Sequence, residues 1–250
     1  MESYSDFAYL YDTFMEDVPY DDWADLLSCL IKAYGGNVKT VLDLGCGTGN
    51  MTMRLAKAGF DVMGVDNSED MLSVASEKSH EEGLDILYVN QDMRELELLE
   101  KQDCIVSICD CINYLVLDED LISTFEHVKD CLSNDGLFIF DIKTVHMYEN
   151  VMGNTTIAEN RDDCSFIWEN YYSVEDHINE YDVTFFKKVS DEEDGLFKRF
   201  EETHIQRALT IEELKDLILK CGLRFVTVID EKTRKEPTAD SERVFIVCRK

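Results

Sequence analysis

The feature that most restricts how this chain can fold is the run Asp43-Leu44-Gly45-Cys46-Gly47-Thr48-Gly49-Asn50. It joins a short apolar stretch, Thr40 to Leu44, to a helical segment containing Met51, Leu55 and Ala56. Three glycines at alternate positions let the backbone turn sharply and keep any Cβ out of the way of an approaching ligand. An apolar strand that passes through such a turn into a helix is how a parallel α/β sheet begins. A carboxylate between that strand and that turn is costly unless something bonds it, so Asp43 is a candidate for ligand contact.

The pattern continues as the turn demands. Apolar runs at 62–65, 86–89, 105–109 and 137–142 read as strands 2 to 5, and the segments between them read as helices. The clearest helix spans 118–132, where Leu121, Ile122, Phe125, Val128, Cys131 and Leu132 share a face before Asn134-Asp135-Gly136. Residues 21–34 precede strand 1 as an amphipathic lead-in helix. After Asp141 the pattern changes: 165–189 and 196–208 are rich in aromatic and β-branched residues, separated by Asp191-Glu192-Glu193-Asp194-Gly195, and predict an inserted antiparallel hairpin. Thr210-Ile211-Glu212-Glu213 has the form of a capping box, and strands at 224–230 and 243–248 predict an antiparallel pair at the sheet edge. The expected architecture is an α/β Rossmann-like three-layer sandwich, a mostly parallel seven-stranded sheet with an antiparallel edge strand and a small β cap. Residues 1–37 form N-terminal lid helices, 38–145 and 209–250 the ligand-binding domain, and 146–208 the cap.

The second informative element is Gly64-Val65-Asp66, which closes strand 2 with Asp66 21 positions after Gly45. A carboxylate there accepts two hydrogen bonds from a ribose diol, so the pair of elements indicates an adenosine-containing ligand.

With these residues in place, the sequence resembles the class I S-adenosylmethionine-dependent methyltransferases. Val41 to Asn50 looks like that family's first motif, with an acidic residue ahead of G-x-G-x-G. The resemblance implies that Asp43 and the backbone of Gly45, Cys46, Gly47 and Gly49 surround the methionine part of S-adenosyl-L-methionine. It implies that Asp66, with Asn67 beside it, binds the ribose, that Asp92, next to Gln91, bonds the adenine amine, and that Met93 touches the ring. The segment Cys109 to Tyr114, including Asp110, would border the methyl donor. Tyr4 to Asp12 looks like the lid of small-molecule members, so that Tyr11, and with it Tyr20 and Trp23, would close over the cofactor.

Composition narrows the acceptor. A net charge of −29 spread along 250 residues repels phosphate backbones, and the clusters Lys187-Lys188, Lys198-Arg199 and Lys232 to Lys235 are short. A small-molecule acceptor is expected, and nucleic acid is disfavoured. No apolar run reaches the ~20 residues of a membrane span and the N-terminus lacks an export signal, so a cytoplasmic protein with no membrane partner is expected. The nine cysteines sit singly or in apolar runs and read as reduced core residues. Cys109-Asp110-Cys111 on a strand would point its thiols to opposite faces, so no metal site is expected. Cys46 reads as a packing residue rather than a nucleophile.

A sulfonium methyl is already activated, so transfer needs alignment and a dry pocket, and needs a base only where the acceptor must lose a proton. His80 and His127 read as solvated and structural. His146 follows strand 5 at the ligand-binding edge of the sheet, and His204 alternates with Glu202 and Gln206 on one face of a cap strand. His204, Tyr114 and Tyr172 are the pocket candidates for a catalytic role. Two rival readings share this fold: a nicotinamide-dependent oxidoreductase, which the third-glycine spacing opposes, and a non-catalytic cofactor-binding or partner protein.

Overall fold

The computed structural model describes residues 11–189 and 195–250. The lid residues Tyr4 to Leu10 and the acidic turn residues Asp191 to Asp194 lie outside the described residues.

The lead-in helix α1 spans Tyr20–Tyr34, buries Trp23, Leu27, Leu30 and Ile31, and carries Asp21 and Asp22 in its first turn and Lys32 in its last, matching the helix dipole. The sheet domain follows as β1 (Thr40–Leu44), α2 (Asn50–Lys57), β2 (Asp61–Asp66), α3 (Glu69–Glu81), β3 (Leu87–Asn90), β4 (Gln102–Ser107), α4 (Asp118–Cys131) and β5 (Leu132–Lys143). The chain then forms the cap strands β6 (Thr156–Asn160), β7 (Cys164–Ser173), β8 (Ile178–Lys188) and β9 (Phe197–Arg207), and returns as α5 (Ile211–Lys220), β10 (Arg224–Asp230) and β11 (Arg243–Arg249). The Thr210 hydroxyl and the Glu213 carboxylate make the reciprocal capping bonds that start α5.

The seven strands lie in the order β10-β11-β5-β4-β1-β2-β3. Strands β1 to β5 pair in parallel, whereas β11 is antiparallel to both β5 and β10. The expected antiparallel pair thus stands at the sheet edge, with β10 outermost and β11 one strand in. Burial explains the order: Val244 to Cys248 of β11 are fully buried, while β10 is buried only at Asp230. A run apolar on both faces takes the interior position, and the more polar one takes the edge. One side of the sheet packs on α4 and α5 around Phe125, Phe138 and Ile218, and the other on α1 and α2 around Leu27, Leu55 and Phe245.

Three local expectations are corrected. Helix α4 stops at Cys131, because Leu132 already pairs with Gln102, and Asp135 takes a left-handed conformation (φ 60°) inside the following strand. Strand β4 ends at Ser107, so Cys109 and Asp110 lie in a turn rather than on a strand, both with positive φ (71° and 55°). The cap is a four-stranded antiparallel sheet, because the 165–189 stretch turns between Ser173 and Ile178 and β6 adds a fourth strand.

Strand alternation gives the cap one inner face. Across it, Asn170, Tyr181 and His204 form one row and Trp168, Val183 and Glu202 the next. Phe14 packs edge-on against Phe166 (ring centroids 4.7 Å) and against Phe185, so the segment just before α1 meets the cap.

Candidate active site

The turn after β1 is fixed by the strand beside it. The amides of Gly45 and Cys46 both donate to the Val65 carbonyl (2.7 and 3.0 Å), and the Gly47 amide donates to Asp66 Oδ2 (2.8 Å). Asp66 Oδ1 accepts from the Ser68 amide (3.0 Å), so its carboxylate is oriented on both sides at the end of β2. Each oxygen keeps lone-pair capacity for a further donor. Gly45 must be glycine: at φ +81°, a Cβ would lie 2.7 Å from Cys111 Sγ. At Gly47 (φ +52°) a Cβ would meet nothing within 4 Å, so the tip of the turn faces open space.

Asp43 lies behind this turn, 1% exposed, and accepts from the Thr52 hydroxyl at 2.6 Å. Burial pushes its carboxyl up to about 7 against the pull of the Thr52 bonds, with the nearby Asp66 charge adding to the rise. Cys46 is packed beneath the turn, and burial raises its thiol well above the usual value, which suits a packing role and not a nucleophile.

A strap from the N-terminal side crosses the turn. Asp12 Oδ1 accepts from the Thr48 hydroxyl (2.5 Å) and Asn50 Nδ2 (2.9 Å), while Asp12 Oδ2 pairs with Lys78 Nζ (2.6 Å). The next turn of the strap reaches the cap through Phe14, and Arg161 Nη1 donates to the Thr13 carbonyl (3.1 Å). Tyr11 is packed where the charges of Cys109, Tyr20, Tyr114 and Asp110 are felt, and burial raises its phenol far above the ordinary value.

The turn after β4 supplies the third wall. Two successive non-glycine residues with positive φ cost on the order of 1 kcal/mol each. A buried ionic network holds them: Asp110 pairs with Arg243 Nη2 (2.7 Å) and Lys143 Nζ (3.0 Å) and accepts from Gln206 Nε2 (2.7 Å). Arg243 also pairs with Asp141. Burial alone would raise the Asp110 carboxyl, but Lys143 and Arg243 outweigh it and hold the group at about 2. Gln206 belongs to β9, and Asn113 Nδ2 donates to the carbonyl of Arg207 (2.8 Å), so the same turn also anchors the cap.

On the cap face, the Tyr114 hydroxyl lies 2.6 Å from that of Tyr181 and 3.2 Å from His204 Nδ1. The His204 ring stacks on Tyr181 (centroids 4.8 Å), and its Nε2 sits 3.3 Å from Glu202 Oε2.

The expected residues thus fall into groups. Gly45, Cys46, Gly47, Gly49, Asp66 and Met93 come together around the turn, the Met93 methyl lying 3.5 Å from the Cβ position of Gly45, while the Asp110 carboxylate is held in the network with Lys143, Arg243 and Gln206. Asn67 is exposed at the end of β2. Asp92 caps the short 3-10 helix at Met93–Glu95 and pairs with Arg94 (2.6 Å). The Gln91 side chain is turned away, donating to the Glu97 carbonyl (3.1 Å) and accepting from its amide (3.0 Å). Trp23 is 4% exposed against Phe245, donates to Glu231 (2.9 Å) and carries the Arg243 guanidinium over its ring. Tyr172 does not join Tyr114 and His204, since its hydroxyl lies 3.2 Å from His177 Nδ1 and its ring stacks on Tyr148. His146 lies 3.4 Å from Asn150 Nδ2. Sequence reasoning missed the Asp12 latch and the Asp110–Lys143–Arg243–Gln206 network; the contacts Asp12–Lys78 and Asp110–Arg243 span 66 and 133 positions, beyond any local pattern.

A family model described as a methyltransferase domain matches residues 41–136. A Geobacillus sp. (strain WCH70) protein named as a methyltransferase is 35% identical over 249 residues, 99% of this chain and 100% of the relative. The crystal structure of an S-adenosylmethionine-dependent methyltransferase from Clostridium acetobutylicum ATCC 824 superposes with a TM-score of 0.87 at 30% identity, covering 98% of each chain. An S-adenosylmethionine-bound amino pentose methyltransferase from Micromonospora echinaspora shares the fold at a TM-score of 0.75 and 15% identity, with 96% of this chain and 95% of that one covered. The glycine turn, the carboxylate at the end of β2 and full-length similarity agree, and the chain belongs to the S-adenosylmethionine-dependent methyltransferase family.

Proposed function

We propose that the chain transfers the methyl group of S-adenosylmethionine to a small-molecule acceptor by direct in-line displacement, between the glycine turn and the inner face of the cap. The observation that carries this reading is the enclosure: the strap is fastened to the turn through Asp12 and to the cap through Phe14, and Tyr114 ties the β4 exit to Tyr181. Three walls around the turn suit a compact acceptor, and the net charge of −29 opposes nucleic acid. The amino pentose enzyme of the same fold acts on a small molecule, as its name states.

Bound, the cofactor presents a methyl group on a sulfonium, activated for transfer. This chain's residues fit it: open space stands over Gly47, and Asp43 has a carboxyl whose burial is only partly offset by Thr52. In this reading Asp43 and the Gly45 to Gly49 backbone surround the methionine part, and Asp66, preset by two amides, receives the ribose diol. Met93 lies against the adenine, whose amine bonds Asp92, and Tyr11 covers the cofactor from the strap. The protein's contribution is alignment and exclusion of water. The test is incubation with methyl-labelled cofactor and fractionated cell extract. Label in the dialysable fraction is expected; label confined to protein or RNA would overturn the reading.

A further inference from the structure

The cap brings together a set of groups that alignment alone does not require. Tyr114, from the β4 exit, stands beside Tyr181 of β8 and His204 of β9, and His204 has Glu202 at its far nitrogen. Glu202 Oε2 lies 3.3 Å from His204 Nε2 and a carboxylate only accepts, so we place the ring proton on Nε2, which leaves a bare Nδ1 facing the Tyr114 hydroxyl. Tyr114 then donates to Nδ1 and accepts from Tyr181, and its oxygen keeps one lone pair free. Tyr114 as a whole residue is 42% exposed, although its phenol oxygen is set inward beside Tyr181 and His204.

We propose that the methyl acceptor is an amine, and that Tyr114, His204 and Glu202 form the relay that takes up the proton it sheds. The inference rests on the small-molecule reading above and adds the acceptor's chemistry. An amine arrives mostly as an ammonium ion, which cannot attack until it loses a proton. The surroundings favour a cation over a neutral alcohol: Glu202 supplies a carboxylate, Tyr114 supplies a π face, and the whole surface is acidic. The other charges that reach this group are Asp110, which acts on both tyrosines, and Lys143, which is paired to Asp110. Burial raises both phenols, Tyr114 well above the ordinary value, so neither tyrosine is the resting base.

The step balances. The ammonium gives one proton to the Tyr114 oxygen as the Tyr114 proton passes to His204 Nδ1, and Glu202 holds the imidazolium. The freed nitrogen lone pair forms the N–C bond with the methyl as the C–S bond breaks, its electron pair staying on sulfur. The products are a methylated ammonium and S-adenosylhomocysteine, and His204 gives its proton to solvent. Tyr114 is the catalytic residue that touches the acceptor; His204 and Glu202 act through it.

The test is nitrogen NMR of histidine-labelled protein saturated with S-adenosylhomocysteine, with the His204 signals identified by their loss in His204→Asn. The expected spectrum shows a bare Nδ1 and a protonated Nε2. Glu202→Leu should mix the two tautomers and Glu202→Gln should preserve the native one, a rescue that a packing role would not produce. Methylammonium chloride should shift the His204 signals, while methanol and sodium chloride at equal concentration should not. The response should weaken roughly tenfold in Glu202→Gln, which keeps the hydrogen bond but loses the charge. A protonated Nδ1, an equal response to methanol, or no response to methylammonium would overturn the proposal. Failure of the small-molecule reading would appear separately, as label transferred only to macromolecules.

Discussion

Replacing Asp43 by Asn should stabilise the ligand-free protein at alkaline pH while weakening its hold on the cofactor. The Asp43 carboxyl is held at about 7 by burial, against an ordinary 3.8. The folded state therefore binds this proton more tightly than the unfolded chain, and the linked contribution to stability declines as pH rises from about 4 to about 7. The full gap corresponds to ~4 kcal/mol, of which ~3 kcal/mol falls between pH 5 and pH 8. Asn is nearly isosteric and neutral throughout, but it receives the Thr52 donors less well, a loss of ~1 kcal/mol that does not vary with pH. Urea denaturation of both proteins at the two pH values isolates the effect, because every other titrating group is common to both. The stability of the variant relative to the native chain should improve by ~3 kcal/mol from pH 5 to pH 8. The same difference at both values would refute the claim that Asp43 is a buried acid carrying an uncompensated cost.

Asp66→Ala should weaken S-adenosylmethionine binding roughly thirtyfold by calorimetry, the equivalent of ~2 kcal/mol for a two-bond ribose contact; unchanged affinity would remove Asp66 from the site. Asp110→Asn leaves Arg243 and Lys143 with a neutral partner in a buried position and should cost about 3–5 kcal/mol in urea at neutral pH. Because the Asp110 carboxyl sits at about 2 in the folded protein, its contribution is complete above about pH 4 and lost as pH falls towards 2, so this deficit should narrow in acid. Gly64→Ala places a Cβ 2.5 Å from the Tyr88 ring and 2.9 Å from Cys46 Sγ, and should lower the melting temperature by an amount equivalent to ~1–3 kcal/mol. A melting temperature equal to that of the native chain would show that Tyr88 moves aside freely.

The sheet was legible because its signals are local. A parallel strand buried on both faces must be an apolar run, a sharp exit must carry glycine, and a helix start must satisfy its first amides, so Val41 to Gly49, Asp66 and the Thr210–Glu213 box could be read in order along the chain. The antiparallel pair β10 and β11 was legible, but which of the two takes the edge was not, since both runs have strand composition and only their competition for the interior position separates them. The packing of Trp23 was not legible for a related reason: an aromatic residue near a lid motif carries no mark of the face it occupies until α1 packs on β11.

What the sequence determined by itself is the glycine turn after β1 and the carboxylate that closes β2, because each is a local feature of a strand end. What only the tertiary structure decided is which distant residues meet around that turn. The pairs Tyr114–His204, Asp110–Gln206 and Asp12–Lys78 join positions 90, 96 and 66 residues apart. Chain periodicity cannot specify such pairs; they form because the crossovers deliver the ends of β4, β5 and β9 and the strap to one side of the sheet, where buried charges must find partners.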